Sequence, residues 1–161
     1  ETAEMYELIG ERLTGEGYRQ YEISNWTRGE PCAHNLVYWH DQRYLAFGPG
    51  ASGYWGSTRY TTLLGPGEYI ERVGRGESVL AEQNVVGREE EIGEFMMLGL
   101  RLNSGVGLSE FRRRFGEDLF SVFPRELKRL HALGLLESVG DEVRLTPRGR
   151  LLGNEVFAQF I

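Results

Sequence analysis

The 161-residue sequence contains one cysteine, Cys32. A single thiol cannot form an internal disulfide, and such scarcity is typical of proteins from a reducing cytoplasm. It also cannot hold an iron–sulfur cluster, because these clusters are bound by several cysteine thiolates. Chemistry on such a cluster is therefore excluded for these 161 residues alone.

The chain also lacks a long hydrophobic run and an excess of basic residues. No apolar stretch approaches the ~18 residues of a transmembrane helix, and the first residues show no signal-peptide pattern. The 24 acidic residues outnumber the 18 basic ones, for a formal charge of −6. This charge argues against nucleic acid as a partner, because nonspecific binding depends on Lys and Arg that neutralise phosphates. We expect a cytoplasmic protein and, because the sequence starts at Glu1 and not at Met, part of a longer one.

The overall composition, with 40% hydrophobic and 26% charged residues, is typical of a globular protein. A helix is predicted from an N-cap at Thr2 to Gly15. Its apolar face consists of Met5, Ile9 and Leu13. Residues 18–24 predict a β-strand, 25–43 a loop and 44–47 a second strand. These elements are too few to bury both faces of a parallel sheet, so we expect exposed apolar surface or a homodimer.

Residues 65–87 predict a connector with one short helix, and residues 88–161 are mostly helical. The spacing of apolar residues predicts four helices in this last part. Their inward-facing residues are Ile92, Phe95, Met96 and Leu100; Leu108, Phe111 and Phe115; Leu127, Leu130 and Leu133; and Leu152, Val156 and Phe160. Helix ends are marked by Gly116 and Gly134, and Thr146 caps the last helix. A turn at Gly140-Asp141 predicts a hairpin before that helix, which makes the order of elements winged-helix-like.

The segment 34–39, HNLVYW, brings side chains with distinct chemical uses together within six positions. An imidazole can ligate iron, an amide can both donate and accept hydrogen bonds, and two aromatic rings can stack on a flat molecule. A second stretch, GPGA at 48–51, lets the backbone approach a ligand closely, because glycine adds no side chain. It does not predict a phosphate-binding loop, since no Lys-Ser/Thr follows and the GxGxxG spacing is absent.

Four blocks together resemble the HemN/HemW family, the oxygen-independent coproporphyrinogen oxidases and their relatives. The blocks are YEISNW at 21–26 with HNLVYW at 34–39, GPGA at 48–51, FMMLGLR at 95–101, and RLTPRG with LGNEVF at 144–149 and 152–157. The HNxxYW form resembles the HemW branch, whose members are radical-SAM heme chaperones. The resemblance extends over nearly the whole chain.

The resemblance implies an α/β fold in three parts. Residues 1–64 would be the end of an incomplete (β/α) radical-SAM barrel and 65–87 a connector. Residues 88–161 would be a mostly α, winged-helix-like C-terminal domain with a small hairpin. In the full-length relative it implies SAM and a [4Fe–4S] cluster, whose CxxxCxxC loop is absent here. The implied partners are heme or porphyrin and a heme-acceptor protein.

Site residues are implied as well. Those at the heme are His34, Asn35, Tyr38 and Trp39, with the His34 imidazole as iron ligand. Those at the edge of SAM, through backbone atoms, are Gly50, Ala51 and Ser52, although many relatives have Ala-His where this chain has Ala51-Ser52. No catalytic residue is predicted within the chain, and we do not expect it to be an enzyme by itself.

Other interpretations remain open at this point. A lone histidine more often makes structural hydrogen bonds than ligates a metal, and the other motif residues could simply fix the loop. Cys32 and His40 are further candidate ligands. The family also contains true coproporphyrinogen III oxidases with the same fold and SAM chemistry. A winged-helix nucleic-acid-binding module would contact phosphates through Arg125, Lys128 and Arg129. The basic run 112–114 predicts a solvated helical face.

Overall fold

The computed structural model describes residues 2–161, without the side chain of Thr2. Within this range, helices and small antiparallel sheets form two compact units and no closed barrel. The first unit contains the chain up to Asp41 together with Ile92–Ile161, and the second contains Gln42–Glu91. None of the helices in residues 2–161 is long and apolar enough to cross a membrane. The three-part domain assignment made from the sequence stays a prediction.

The first unit begins with the predicted helix, α1 (Thr2–Gly15). The chain turns after it at Gly17, whose φ of 79° lies in the left-handed region that glycine adopts without strain. The N-cap expected at Thr2 involves a side chain outside the described part of the structure. Met5 and Ile9 on α1 are 52% and 53% exposed, so this part of the chain has the exposed apolar surface that its few elements predicted.

The strand predicted over residues 18–24 is wrong in extent. Only β1 (Arg19–Gln20) forms, and it pairs antiparallel with β2 (Trp26–Thr27), inside the predicted loop. The carboxylate of Glu22 accepts a hydrogen bond from the Ser24 backbone N–H at 3.0 Å. This local bond closes a turn of the kind that competes with strand pairing, so the strand ends early. The loop predicted over residues 25–43 is also wrong in part, because it contains helix α2 (Ala33–Trp39).

The second unit is a three-stranded antiparallel sheet that the sequence did not predict. Its strands, in the order β3-β4-β5, are β3 (Ser52–Trp55), β4 (Thr58–Thr62) and β5 (Leu80–Val85). Helix α3 (Pro66–Arg75) connects β4 to β5 and confirms the short helix expected in the connector, whereas strand β5 was not expected there. The strand predicted over 44–47 is wrong, because only one isolated bridge, Tyr44 to Tyr54, forms there.

The C-terminal part of the first unit follows the prediction more closely. Its helices are α4 (Arg88–Gly99), α5 (Leu108–Phe115), α6 (Leu119–Val122), α7 (Pro124–Ala132), α8 (Pro147–Leu151) and α9 (Gly153–Phe157). Its strands are β6 (Val106–Gly107), β7 (Leu136–Val139) and β8 (Glu142–Leu145), in the order β6-β8-β7. The predicted hairpin is therefore confirmed, and β6 adds a third strand.

One contiguous core holds these elements together, and it includes most of the apolar residues predicted to face inward. Its members are Ile92, Phe95, Met96, Leu100, Val106, Phe111, Phe115, Leu119, Leu127, Leu130, Leu135, Leu136, Val143, Leu145, Val156, Phe157 and Phe160. Leu133 was expected in it but is 46% exposed, and it is the C-cap residue just after the end of α7. The single final helix is also wrong, since it breaks at Leu152, next to Gly153, a poor helix former.

Candidate functional site on helix α2

The HNLVYW segment is helical and not a loop. Helix α2 (Ala33–Trp39) starts with the Leu36 N–H donating to the Cys32 carbonyl and ends with the His40 N–H donating to the Leu36 carbonyl. Seven residues are too few for a stable isolated helix in water. Tertiary contacts of its side chains must therefore hold it in place.

Helical spacing divides the motif between two faces, because residues four positions apart lie on the same side. His34 and Tyr38 form the outer face. The Nε2 atom of His34 and the hydroxyl of Tyr38 are 3.1 Å apart, and the two rings meet edge to face at 90° with centroids 5.1 Å apart. His34 is exposed and Tyr38 is half-buried. An imidazole and a phenol thus share one accessible surface.

Asn35 and Trp39 form the inner face. The Asn35 side-chain amide donates to the Tyr21 hydroxyl at 3.0 Å. The guanidinium of Arg101 lies 4.7 Å from the centroid of the Trp39 ring and 5.4 Å from that of Phe157. These contacts join residues from three of the sequence blocks. They fix α2 to Tyr21, which follows β1, and to Arg101, which also lies against Phe157 of α9.

Several polar atoms behind α2 are buried without a hydrogen-bond partner in residues 2–161. They are Glu22 Oε2, Trp39 Nε1, Arg101 Nε and Asn103 Oδ1. Two backbone hydrogen bonds connect residues 21–23 with residues 101–103. The Ile23 N–H donates to the Arg101 carbonyl and the Asn103 N–H donates to the Tyr21 carbonyl, both at 3.0 Å. Buried atoms of this kind normally bind ordered water. Sequence reasoning assigned no role to Glu22 or Arg101, although both lie in blocks that it singled out.

The C-terminal end of α2 is held by Arg114 of α5. The guanidinium donates to the Asp41 carboxylate at 2.6 Å and to the backbone carbonyls of Asp41 and His40. Asp41 is 3% exposed and has a φ of 46°, which is uncommon for a residue other than glycine. The expectation of a solvated face for the run 112–114 is therefore wrong for Arg114, because this side chain turns inward to a buried carboxylate.

We expect Arg114→Met to lower the free energy of unfolding by about 2–3 kcal/mol, since it removes one partner of a largely buried ion pair. The matched control is Arg113→Met on the same helix. Arg113 reaches Glu110 at 3.7 Å with both side chains exposed, and such surface pairs contribute less than about 1 kcal/mol. Urea denaturation of the two variants measures the difference. Equal losses would show that the Arg114 contacts do not stabilise this end of α2.

The two alternative ligands flank the helix. Cys32 is an exposed, free thiol at the N-cap, and His40 is half-buried at the C-cap. Within residues 2–161, no group of three or more His, Cys, Asp and Glu side chains could hold a metal ion.

Gly50, Ala51 and Ser52 lie in the second unit. Gly50 has a φ of 70°, and its N–H donates to the Leu63 carbonyl at 2.8 Å. The Ala51 N–H donates to the Thr62 hydroxyl at 2.9 Å, and Ser52 starts β3. Both amides thus close a turn of the sheet, and a ligand that used them would have to replace existing hydrogen bonds. The side chain of Ser52 lines an open cleft of about 510 Å³ on this sheet. The contact of this turn with SAM stays a prediction.

Comparisons with known proteins agree with the blocks found in the sequence. Residues 86–152 match the family model of the HemN C-terminal domain. The chain is 42% identical over 161 residues to the heme chaperone HemW of Bacillus subtilis and 34% identical over 160 residues to that of Lactococcus lactis. These alignments include 99% of this chain but 42% of each relative, so the chain spans about two fifths of the length of these relatives.

A solved structure shows the same fold. Coproporphyrinogen III oxidase (HemN) from Escherichia coli, described as a radical SAM enzyme, matches 97% of this chain with a TM-score of 0.71 and 20% identity. The match covers 39% of that enzyme. From the sequence blocks, the domain match and the HemW relatives together, we conclude that this chain belongs to the HemN/HemW family.

Proposed function

We propose that this chain is the heme-binding part of a radical-SAM heme chaperone, and that His34 ligates the iron of the heme it carries. The relatives from Bacillus subtilis and Lactococcus lactis, which align with 99% of this chain, are named heme chaperones, which supports this role. The observation that carries the proposal is the outer face of α2. On this face the exposed imidazole of His34 contacts the ring of Tyr38. The opposite face of the helix is held in place by the hydrogen bond from Asn35 to Tyr21.

The two faces of α2 suggest different roles for the residues of the HNLVYW motif. A neutral imidazole is a common axial ligand of heme iron, and the Tyr38 ring offers flat contact area beside it. Asn35 and Trp39, which the sequence placed at the heme, are engaged with Tyr21 and Arg101. We therefore propose that these two residues hold the helix, while His34 and Tyr38 contact the cargo. One protein ligand on an open surface allows release, as a carrier requires.

Titration of the chain with hemin tests the proposal. We expect saturable binding of one hemin per chain and a shift of the Soret band that is characteristic of imidazole ligation. The absence of saturable binding would refute the proposed role of this part of the protein. A thiolate-type spectrum would instead move the site to Cys32.

For the whole protein we propose two cofactors of radical chemistry, SAM and a [4Fe–4S] cluster, with the cluster bound by residues outside this chain. Its proposed partners are a heme-acceptor protein and, in a homodimer, a second copy of itself. We also propose that residues 1–64 end an incomplete barrel and that the C-terminal helices with the hairpin form a winged-helix-like domain. The residues present do not fit the cluster, because the chain has one thiol.

Anaerobic reconstitution of the isolated chain with iron and sulfide should therefore yield no stoichiometric [4Fe–4S] cluster and no cleavage of SAM. Absorbance and EPR spectra measure the cluster, and chromatography of SAM products measures cleavage. The matched control is Cys32→Ser, which should give the same spectra as the unchanged chain. A stoichiometric cluster signal accompanied by SAM cleavage would contradict this prediction.

A coproporphyrinogen III oxidase is the first alternative. The structural match to HemN supports the shared fold, but at 20% identity it does not extend to activity. The HNxxYW motif and the HemW relatives favour the chaperone role.

Nucleic-acid binding is the second alternative, favoured only by the exposed basic residues of α7. They are Arg125, Lys128 and Arg129. The neighbouring basic run is neutralised, since Arg112 donates to Asp118 at 2.8 Å and Arg114 to Asp41. The hydrogen bond from Arg112 lowers the pKa of Asp118, which keeps that carboxylate ionised. DNA binding that weakens steeply with salt would support this alternative.

A further inference from the structure

The hydrogen bond between His34 and Tyr38 has a consequence for iron binding. The Nε2 atom of His34 and the Tyr38 hydroxyl are 3.1 Å apart. Whichever atom carries the proton, this bond must break before Nε2 can coordinate a metal, because coordination uses the lone pair of a deprotonated nitrogen. In the heme-free protein the nitrogen at the tip of the imidazole is therefore already occupied.

We propose that the Tyr38 hydroxyl competes with heme iron for Nε2 of His34 and thereby lowers the affinity for heme and speeds its release. This inference rests on the proposed function, since it concerns the same histidine. The Tyr38 hydroxyl is then a positioning group that acts through His34, and the hydroxyl and the ring of Tyr38 have opposite effects. The ring adds contact area for a flat ligand, while the hydroxyl holds the imidazole in a heme-free arrangement.

Of the two ring nitrogens of His34, Nε2 is the one suited to coordinate heme iron, because of its position in the ring. Nδ1 lies next to the carbon that bears the Cβ atom, so a porphyrin bound there would be pressed against the helix. Nε2 lies at the far end of the ring and leaves room for a macrocycle. The exchange between hydroxyl and iron needs only side-chain rotation, because the inner face of α2 and its C-terminal end are fixed by Asn35, Trp39 and Arg114.

Replacement of the hydroxyl alone separates these effects. We expect Tyr38→Phe to bind hemin about two- to tenfold more tightly, the range that follows from the loss of one competing hydrogen bond. Transfer of heme from the loaded chain to apomyoglobin should slow by a similar factor. The matched control is Tyr69→Phe, which removes a hydroxyl that accepts from the Gly48 N–H in the second unit and should leave the affinity unchanged. Unchanged or weaker binding by Tyr38→Phe would overturn the inference.

A measurement without heme tests the hydrogen bond itself. The ¹⁵N shifts of the His34 ring report which nitrogen carries the proton, and we expect Tyr38→Phe to change that distribution, whereas Tyr69→Phe should leave it unchanged. Unchanged shifts in Tyr38→Phe would overturn the inference. If hemin binds equally well to His34→Ala, the proposed function fails at this site. If His34→Ala loses binding while Tyr38→Phe does not gain it, the function stands and the competition is wrong.

Discussion

Replacement of His34 by alanine is expected to weaken hemin binding by roughly tenfold or more and to abolish the imidazole-type Soret band. The reason is that His34 is the imidazole on the outer face of α2, where it is exposed and supported by the Tyr38 ring. The change should not unfold the protein, because an exposed side chain contributes little to stability. Absorbance titration with hemin measures both the affinity and the type of ligand.

Two neighbouring variants serve as controls for the ligand. Cys32→Ser and His40→Ala remove the other candidate ligands at the two ends of α2, and both should retain affinity and spectrum. Circular dichroism should show the same helix content for all three variants. The assignment of His34 fails if His34→Ala binds hemin like the unchanged chain. A loss confined to Cys32→Ser or to His40→Ala would transfer the ligand to that residue.

Replacement of Phe111 by alanine is expected to lower the free energy of unfolding by about 3–5 kcal/mol, the usual cost of truncating a fully buried aromatic side chain. Phe111 has no exposed surface. Its ring centroid lies 4.9 Å from that of Phe115 and 6.0 Å from that of Phe95, so the change also removes one aromatic contact within α5 and one between α5 and α4.

Phe120→Ala on the neighbouring helix α6 is the matched control, because the same atoms are removed from a side chain that is 41% exposed. We expect a loss of less than about 1 kcal/mol, in keeping with surface substitutions. Urea denaturation followed by tryptophan fluorescence measures both variants. Similar losses for the two would mean that Phe111 is not a central part of this core.

The C-terminal helices could be predicted from the sequence because their signals are local. Gly116 and Gly134 both adopt positive φ where helices end, and the Thr146 hydroxyl accepts from the Gly149 N–H at the start of α8. Each of these signals acts within a few residues of the helix end that it marks. Apolar periodicity then placed most of the core correctly, since it needs no knowledge of distant segments.

The second unit could not be predicted in the same way. Strand β5 pairs with β4, although α3 lies between them in sequence. Its six residues are all exposed, so they lack the alternating pattern that marks a half-buried strand. Strand pairing of this kind depends on partners that are distant in the chain, and composition alone did not reveal them.

The sequence by itself determined the single thiol, the acidic balance and the family blocks, because these depend only on residue identity and order. The tertiary structure decided which residues of HNLVYW face outward. The spacing of residues shows which side of a segment each one lies on only once the segment is known to be helical. Helix α2 is too short to form without its contacts to Tyr21, Arg101 and Arg114. Those partners lie far away in sequence or on another element, so only the folded chain could separate the exposed His34 and Tyr38 from the anchoring Asn35 and Trp39.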